Sequence, residues 1–265
     1  MDNRPIGFFD SGVGGVTVVK ETIRIMDKEN IVYFGDTKRV PYGEKTPAQL
    51  LEFSKQAIGF LLNKNCKLIV IACNTVSANC LPRLKSIYNN IDIVDVISPV
   101  VEEAASTAKH NIGVLATRAT VKSRAHEQLI KKARPDLNIF GIACPILVHA
   151  VEEGFYDSLI PEIALQKYCE GYWDKNIDTY ILGCTHYPVA LNAIRNVVGQ
   201  DKNIIDPAKS TALQIQKLLE MKNILAGNAT PGYHFYYSGG SENFTNITKT
   251  LLGLKEGQYT FTLQG

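Results

Sequence analysis

The chain has 265 residues, 45% of them hydrophobic and 20% charged, which is ordinary for a soluble protein large enough for one big core or two domains. Its 28 basic and 26 acidic residues give a net charge of +2, so neither a nucleic acid nor a membrane surface is expected as a partner. No apolar run approaches the roughly 20 residues of a membrane span. The N-terminus also lacks the apolar region of a signal peptide, which predicts a cytoplasmic protein.

Predicted strands and helices alternate along the chain. Strands are predicted at Ile6–Phe9, Ile31–Phe34, Leu68–Ala72, Ile93–Val96, Ile112–Leu115, Leu137–Ile142, Tyr180–Leu182, Asn203–Ile205, His234–Tyr237 and Tyr259–Thr262. Helices are predicted at Val16–Met26, Pro47–Asn63, Ser77–Tyr88, after Pro99, and at Val121–Ala133, Leu159–Trp173, Val189–Val197 and Ser210–Met221. This alternation predicts an α/β fold with mainly parallel sheets.

Two pairs of matching segments indicate an internal duplication. The runs LIVIACNT and YILGCTHYP place Cys73 and Cys184 at equivalent points, 184 − 73 = 111 positions apart. The runs IGFFDS and IGVLAT are offset by 112 − 6 = 106 positions and set Ser11 opposite Thr117. We therefore expect two similar α/β domains related by a pseudo-twofold axis, 1–97 with 208–265 and 98–207, with the active site in the cleft between them. Two unrelated strand–helix junctions are the alternative.

Cys73 and Cys184 each follow a buried strand and precede a predicted helix. Ligands of open α/β sheets bind at this end of the strands, and a helix N-terminus favours the thiolate form of a cysteine. Two cysteines facing each other across a cleft can remove a proton from one face of a carbon atom and return one to the other face. That chemistry inverts the carbon. The other cysteines, Cys66, Cys80, Cys144 and Cys169, are expected to be packing residues, because the chain has no C-x-x-C pair.

Further polar residues stand near these junctions. His186 follows Cys184 by two positions, and a carboxylate such as Glu152 can fix its tautomer; a helix-capping role for His186 is the alternative. His149 and Glu152 share a helical face, but no third ligand with suitable spacing follows, so no metal is expected. Asp36 is expected to tie down the loop after the second strand.

Two loops offer candidate binding residues. The segment Asp10–Gly15 departs from the dinucleotide pattern G-x-G-x-x-G because Thr17 occupies the third glycine position. Its glycines favour close approach to a small anion, although Asp10 can also be a plain helix cap. The Pro41-Tyr42-Gly43 segment is a turn signature. Two other classes remain open from these residues, a cysteine hydrolase using Cys184 with a histidine base and an anion-binding protein without chemistry.

Five motifs together resemble the glutamate racemases of the aspartate/glutamate racemase family. They are FDSGVGG at Phe9–Gly15, GDT followed by VPYG within Gly35–Gly43, ACNT at Ala72–Thr75, CPILVHAVEEG at Cys144–Gly154 and GCTHYP at Gly183–Pro188. The resemblance spans Ile6 to about Pro207. It implies a two-base racemase without cofactor or metal, a homodimer, and a supply of D-glutamate for peptidoglycan. Aspartate or another amino acid is the alternative substrate within the family.

The resemblance also implies roles for individual residues. Cys73 and Cys184 become the acid/base pair, Asp10 and His186 assist them, and Glu152 supports His186. The positions that resemble substrate-binding ones are Asp10, Ser11, Tyr42, Gly43, Asn74, Thr75, Thr117, Thr185 and His186. None of these is lysine or arginine, so two substrate carboxylates would be held by hydroxyls, amides and backbone N–H groups. His149 departs from the family pattern, in which an apolar residue is common.

Overall fold

The computed structural model describes residues 1–228, 230–239, 242–253, 255 and 257–264. The strands of this part of the chain are β1 Ile6–Asp10, β2 Ile31–Gly35, β3 Leu68–Ile71, β4 Ile93–Asp95, β5 Asn111–Ala116, β6 Asn138–Ala143, β7 Thr179–Gly183, β8 Asn203–Ile205, β9 Tyr233–Tyr237 and β10 Tyr259–Leu263. They form a six-stranded sheet of order β10-β9-β2-β1-β3-β4 and a four-stranded sheet of order β6-β5-β7-β8. Every pairing is parallel, so the predicted α/β class is confirmed.

Helices connect the strands, as parallel pairing requires. They are α1 Val16–Ile25, α2 Pro47–Asn63, α3 Asn74–Ile87, α4 Ser98–Thr107, α5 Arg118–Ser123, α6 Ala125–Ala133, α7 Ile146–Glu152, α8 Leu159–Cys169, α9 Leu191–Val198, α10 Pro207–Met221 and α11 Glu242–Leu252. Short 3₁₀ helices lie at Thr37–Arg39, Tyr42–Glu44, Glu170–Lys175 and Tyr187–Ala190. No helix in the described ranges is both long and apolar enough to cross a membrane.

Helix boundaries differ from the predictions where the backbone departs from helical geometry. The helix predicted at Val121–Ala133 is two helices, because Arg124 adopts a left-handed conformation with φ of 55°. The helix predicted to reach Trp173 ends at Cys169 and tightens into a 3₁₀ helix. Helix α3 begins at Asn74, three residues before the predicted start, so Asn74 and Thr75 lie in its first turn. Helix α11 was not predicted.

The chain leaves the larger sheet once and returns once. It passes from β4 into α4, builds the smaller sheet, and comes back through α10, which packs Ala208 and Ile215 into the core of the larger sheet. The last two strands extend that sheet beside β2. We propose that these crossings are the domain borders, 97/98 and 207/208. Of the segment 208–265, residues 229, 240, 241, 254, 256 and 265 lie outside the described residues.

A buried ion pair stabilises the larger sheet at the end where its strands begin. The ammonium of Lys67 lies 2.7 Å from Oε2 of Glu29, and both side chains are shielded from solvent. The same ammonium donates to the backbone carbonyls of Asp2 and Ile224, while Glu29 Oε1 accepts from the N–H of Ala226. The ammonium thus has two carbonyl partners and the carboxylate has one N–H partner besides the ion pair itself, and such partners help a buried ion pair to be tolerated. The pair joins the N-terminus to the segment after α10.

Candidate active site

The carboxyl ends of five strands, from both sheets, meet at one cleft. The loops after β1, β2 and β3 approach it from the larger sheet, and those after β5 and β7 approach it from the smaller one. Its lining residues are Ser11, Pro41, Tyr42, Gly43, Cys73, Asn74, Thr75, Thr117, Val148, Cys184, Thr185 and His186. The structure thus brings together all the predicted binding positions except Asp10, which lies fully buried in direct contact with Thr185.

Cys73 occupies the N-cap position of α3, and its thiol lies 3.9 Å from the hydroxyl of Ser11. We expected the helix start to favour its thiolate, but burial outweighs the effect of the helix start. Burial raises the pKa of the Cys73 thiol, and the negative charge of Asp10 raises it further. The backbone N–H of Val76 acts in the opposite direction but does not compensate. Cys73 is therefore a protonated thiol at neutral pH, suited to donate a proton.

Cys184, His186 and Glu152 form a chain of side-chain contacts, which we call the relay. Its sulfur lies 3.7 Å from Nδ1 of His186, and Nε2 of His186 lies 2.5 Å from Oε1 of Glu152. Burial disfavours the charged ring, but the hydrogen bonds with Cys184 and Glu152 raise the pKa of His186 well above its usual value. These two hydrogen bonds therefore favour the protonated ring beside the Cys184 sulfur. His186 is the N-cap residue of the 3₁₀ helix Tyr187–Ala190, but its side chain makes no capping hydrogen bond.

Glu152 joins the two sides of the cleft. Besides His186, its Oε1 accepts from the backbone N–H of Val13 at 2.9 Å, in the loop after β1. Its backbone carbonyl accepts from the side-chain amide of Asn243 in α11. The carboxylate of Glu152 is thus engaged by His186 and Val13, and among the described residues no three His, Cys, Asp or Glu side chains are arranged to hold a metal ion.

Asp10 lies beneath the Cys73 side of the cleft. Its Oδ1 accepts from the hydroxyl of Thr185 at 3.2 Å, and its Oδ2 accepts from the N–H of Gly12 at 3.0 Å. Helix α1 has no side-chain cap, so the helix-cap alternative for Asp10 is not observed. Burial raises the pKa of Asp10, although the positive charge of His186 partly opposes this.

The loop after β1 needs glycine because it packs closely against the other side of the cleft. A Cβ atom at Gly14 would lie 2.7 Å from the backbone nitrogen and from Nδ1 of His186. Only glycine allows the loop to approach the relay this closely. The loop therefore supports His186 directly, a role that its resemblance to an anion-binding loop did not predict.

The loop after β2 is held by Asp36, as predicted. The hydroxyl of Tyr42 donates to Oδ2 of Asp36 at 2.6 Å, and Oδ1 accepts from the hydroxyl of Ser238 at 2.6 Å. Gly43 packs against the other side of the cleft, because a Cβ there would lie 2.6 Å from Cβ of Thr117. The contribution of Ser238, from the end of β9 about two hundred residues later, has no signal in the sequence.

The side-chain amide of Asn74 is buried and unpaired. Asn74 is 2% exposed, and neither Nδ2 nor Oδ1 has a hydrogen-bond partner within the described residues. A buried amide without partners is costly to folding, by about 1–3 kcal/mol per group. Such a group in a cleft marks a place where a polar ligand completes the hydrogen bonding.

The cleft is closed in this structure. The space between Cys73 and Cys184 amounts to about 10 Å³, which is room for roughly one water molecule. An amino acid bound there would be enclosed by hydroxyls, amides, the ring of His186 and the two thiols. This arrangement can exclude water and supply a proton donor or acceptor from either side of a bound carbon.

Comparison with known proteins gives the class of this chain. The family model described as Asp/Glu/Hydantoin racemase matches residues 15–215, well over half of the chain. The chain therefore belongs to the Asp/Glu/hydantoin racemase family of enzymes, and the family resemblance of its motifs is confirmed.

Within this family the chain is similar to glutamate racemases over nearly its whole length. Glutamate racemase 2 of Caldanaerobacter subterraneus subsp. tengcongensis is 40% identical over 256 residues, 96% of either chain. The glutamate racemase of Francisella tularensis subsp. tularensis SCHU S4, solved in complex with D-glutamate, superposes with a TM-score of 0.90 at 35% identity, covering 99% of this chain and 98% of the other. Glutamate racemase isoform RacE1 of Bacillus anthracis gives 0.93 at 33% identity, covering 100% and 98%.

Proposed function

We propose that this chain interconverts L-glutamate and D-glutamate by moving the Cα proton between two cysteines, without a cofactor. The observation that carries the proposal is the joint lining of one closed cleft by Cys73 and Cys184, contributed by different sheets. The relatives named above are glutamate racemases, which supports the choice of substrate. A cysteine hydrolase would leave Cys73 without a role.

In the proposed reaction, the thiolate of one cysteine takes the proton from Cα. The electron pair left on Cα then takes a proton from the thiol of the opposite cysteine, on the other face of the carbon. The product has inverted configuration, and the two sulfurs have exchanged protonation states. We assign Cys73 to D-glutamate and Cys184 to L-glutamate, following the family resemblance. Proton exchange with solvent resets the pair.

The assisting residues differ on the two sides of the cleft. His186 contacts the sulfur of Cys184, and Glu152 fixes the ring from the other side. Asp10 is buried near enough to Cys73 for its charge to raise the pKa of that thiol. We propose these two groups as assisting groups for their respective cysteines.

The substrate-binding proposal rests on the unpaired groups of the cleft. The side-chain amide of Asn74 offers a donor and an acceptor to the substrate, and the other proposed contacts are Ser11, Tyr42, Gly43, Thr75, Thr117, Thr185, Asp10 and His186. These contacts include no lysine or arginine, and the ring of His186 is already paired with the carboxylate of Glu152. A substrate carboxylate is therefore held mainly by hydroxyls, amides and backbone N–H groups, which suits an enzyme that has to release either enantiomer.

The cellular role follows from the reaction. We propose that the protein supplies D-glutamate for peptidoglycan, and hence for cell-wall biogenesis and cell shape, and that it acts in the cytoplasm as a homodimer. Aspartate racemisation is the alternative within the family.

Purified protein incubated with L-glutamate is expected to bring the circular dichroism of the solution to zero without any added cofactor. Exhaustive chelation is expected to leave the rate unchanged, because proton transfer needs only the two thiols. The rate is measured before and after dialysis against a chelator. Activity that disappears on chelation and returns with added metal, or a visible absorption band of bound pyridoxal phosphate, contradicts the proposal.

Aspartate is expected to be a poor substrate, with kcat/KM at least about 10²-fold below that for glutamate. If the side-chain carboxylate is held near Ser11, Tyr42–Gly43 and Thr117, a shorter side chain pulls Cα away from the two thiols. A misfit of one methylene alone costs ~1–3 kcal/mol, and misplacing the reacting atom adds to this. Circular dichroism measures both reactions; equal kcat/KM for the two amino acids refutes this placement of the side-chain carboxylate.

A further inference from the structure

Thr120 is a buried threonine behind the cleft that none of the sequence motifs included. It is 1% exposed and does not line the cleft. Its hydroxyl lies 3.0 Å from the hydroxyl of Thr117 and 3.5 Å from that of Thr75. The hydroxyls of Thr75 and Thr117 are themselves 3.0 Å apart. The three hydroxyl groups therefore form a closed ring, which we call the threonine ring.

The threonine ring spans the cleft. Thr75 belongs to α3, after a strand of the larger sheet, whereas Thr117 and Thr120 belong to the start of α5, after a strand of the smaller sheet. Thr75 and Thr117 both line the cleft, so a bound substrate can reach their hydroxyls. Thr120 stays behind them, and its backbone N–H also donates to the Thr117 hydroxyl at 3.3 Å.

Each hydroxyl has one hydrogen to donate and two sites at which to accept. In the closed, empty cleft the ring can use all three hydrogens internally. An entering carboxylate offers the hydrogens of Thr75 and Thr117 a charged acceptor, and such bonds are about twice as strong as neutral ones. The oxygen of Thr117 then still accepts from the hydroxyl and the N–H of Thr120. This orients the Thr117 hydrogen towards the carboxylate and polarises its O–H bond.

We propose that Thr120 is a positioning residue of the racemase site, whose hydroxyl orients Thr117 to bind a carboxylate of the substrate beside Thr75. The proposal rests on the proposed function, because it takes an amino acid with carboxylate groups as the ligand. It assigns Thr120 no contact with the substrate and no part in proton transfer.

The test is the nearly isosteric variant Thr120→Val, which replaces the hydroxyl by a methyl group and changes nothing else in the side chain. The carboxylate remains bound in the substrate and in the transition state, so the loss should affect both equally. We expect KM to rise about tenfold for both enantiomers, with kcat within about twofold of the wild type. Thr120→Ser, which keeps the hydroxyl, is expected to restore KM to within about threefold of the wild type.

Thr211→Val is the matched control. Thr211 is fully buried in α10, and its hydroxyl donates to the carbonyl of Pro207 at 2.6 Å, away from the cleft. We expect it to lower the melting temperature without changing KM. If Thr120→Val does not fold, Thr120→Ala has to show the same rise in KM.

Three results overturn the role of Thr120. They are an unchanged KM in Thr120→Val, a fall in kcat at unchanged KM, and a KM in Thr120→Ser as high as in Thr120→Val, which would assign the effect to packing of the methyl group. Wild-type protein that does not racemise glutamate overturns the proposed function instead, so the two failures are distinguishable.

Discussion

Replacing Cys73 or Cys184 by serine is expected to lower the racemisation rate of glutamate by about 10²–10⁴-fold, the usual contribution of a general acid or base. A serine hydroxyl is far harder to ionise than a thiol, so one face of Cα loses its proton donor and acceptor. Both cysteines lie at the cleft, and the exchange of sulfur for oxygen is small, so folding should be preserved. Racemisation is measured by circular dichroism in each direction, with the fold checked by thermal unfolding.

Each variant keeps one cysteine that can still remove the Cα proton of one enantiomer, and this remaining activity can be measured. A glutamate analogue with a leaving group at Cβ can lose it after removal of the Cα proton. We expect Cys184→Ser to eliminate from the D analogue and Cys73→Ser from the L analogue, if Cys73 acts on the D enantiomer. Cys80→Ser is the matched control: Cys80 is buried in the same helix as the Cys73 junction but does not line the cleft. Two variants that eliminate from the same enantiomer would refute the two-base assignment.

Lys67→Met is expected to lower the free energy of unfolding by about 3–5 kcal/mol. The substitution keeps most of the apolar length of the side chain but leaves the Glu29 carboxylate buried without its cation. It also removes two hydrogen bonds to the carbonyls of Asp2 and Ile224. Urea unfolding measures the change. Kinetic constants for glutamate should stay near those of the wild type, because the pair lies away from the cleft.

An exposed ion pair of similar geometry provides the control for Lys67. Lys167 lies 2.8 Å from Glu170, with both side chains largely in solvent, so Lys167→Met should cost a small fraction of the Lys67→Met effect. The double variant Lys67→Met/Glu29→Leu should recover much of the lost stability, since no unpaired charge remains buried. If Lys67→Met costs no more than Lys167→Met, the pair does not stabilise the fold as described.

Most strands were predictable because they are short apolar runs that end at polar or small residues. Burial on both faces leaves this signature locally in strands such as β1 and β3, whereas the largely exposed edge strand β10 alternates apolar residues with threonine. The helix boundaries were less predictable. The break at Arg124 depends on one left-handed residue that is not glycine, and no local pattern in the chain marks it.

The candidate site was predictable in its members but not in its electrostatics. The junction pattern and the family motifs named the residues that line the cleft. They also led us to expect a thiolate at Cys73, because the helix start is visible in the sequence whereas the burial that outweighs it is not. Contacts between distant segments were equally hidden. Ser238 reaches Asp36 within the larger sheet, and Thr75 meets Thr117 only where the two sheets are assembled around the cleft.

Racemisation in D₂O tests the two-base account most directly. The reaction is started from L-glutamate in one experiment and from D-glutamate in a second. At early times the product and the remaining substrate are separated, and the deuterium content at Cα is measured in each. With one cysteine on each face, the donor of the second proton is an exchanged thiol, so each molecule of product should carry one deuterium while the remaining substrate carries almost none. Deuterium appearing in the remaining substrate as fast as in the product, or product that retains the original proton, would contradict the account.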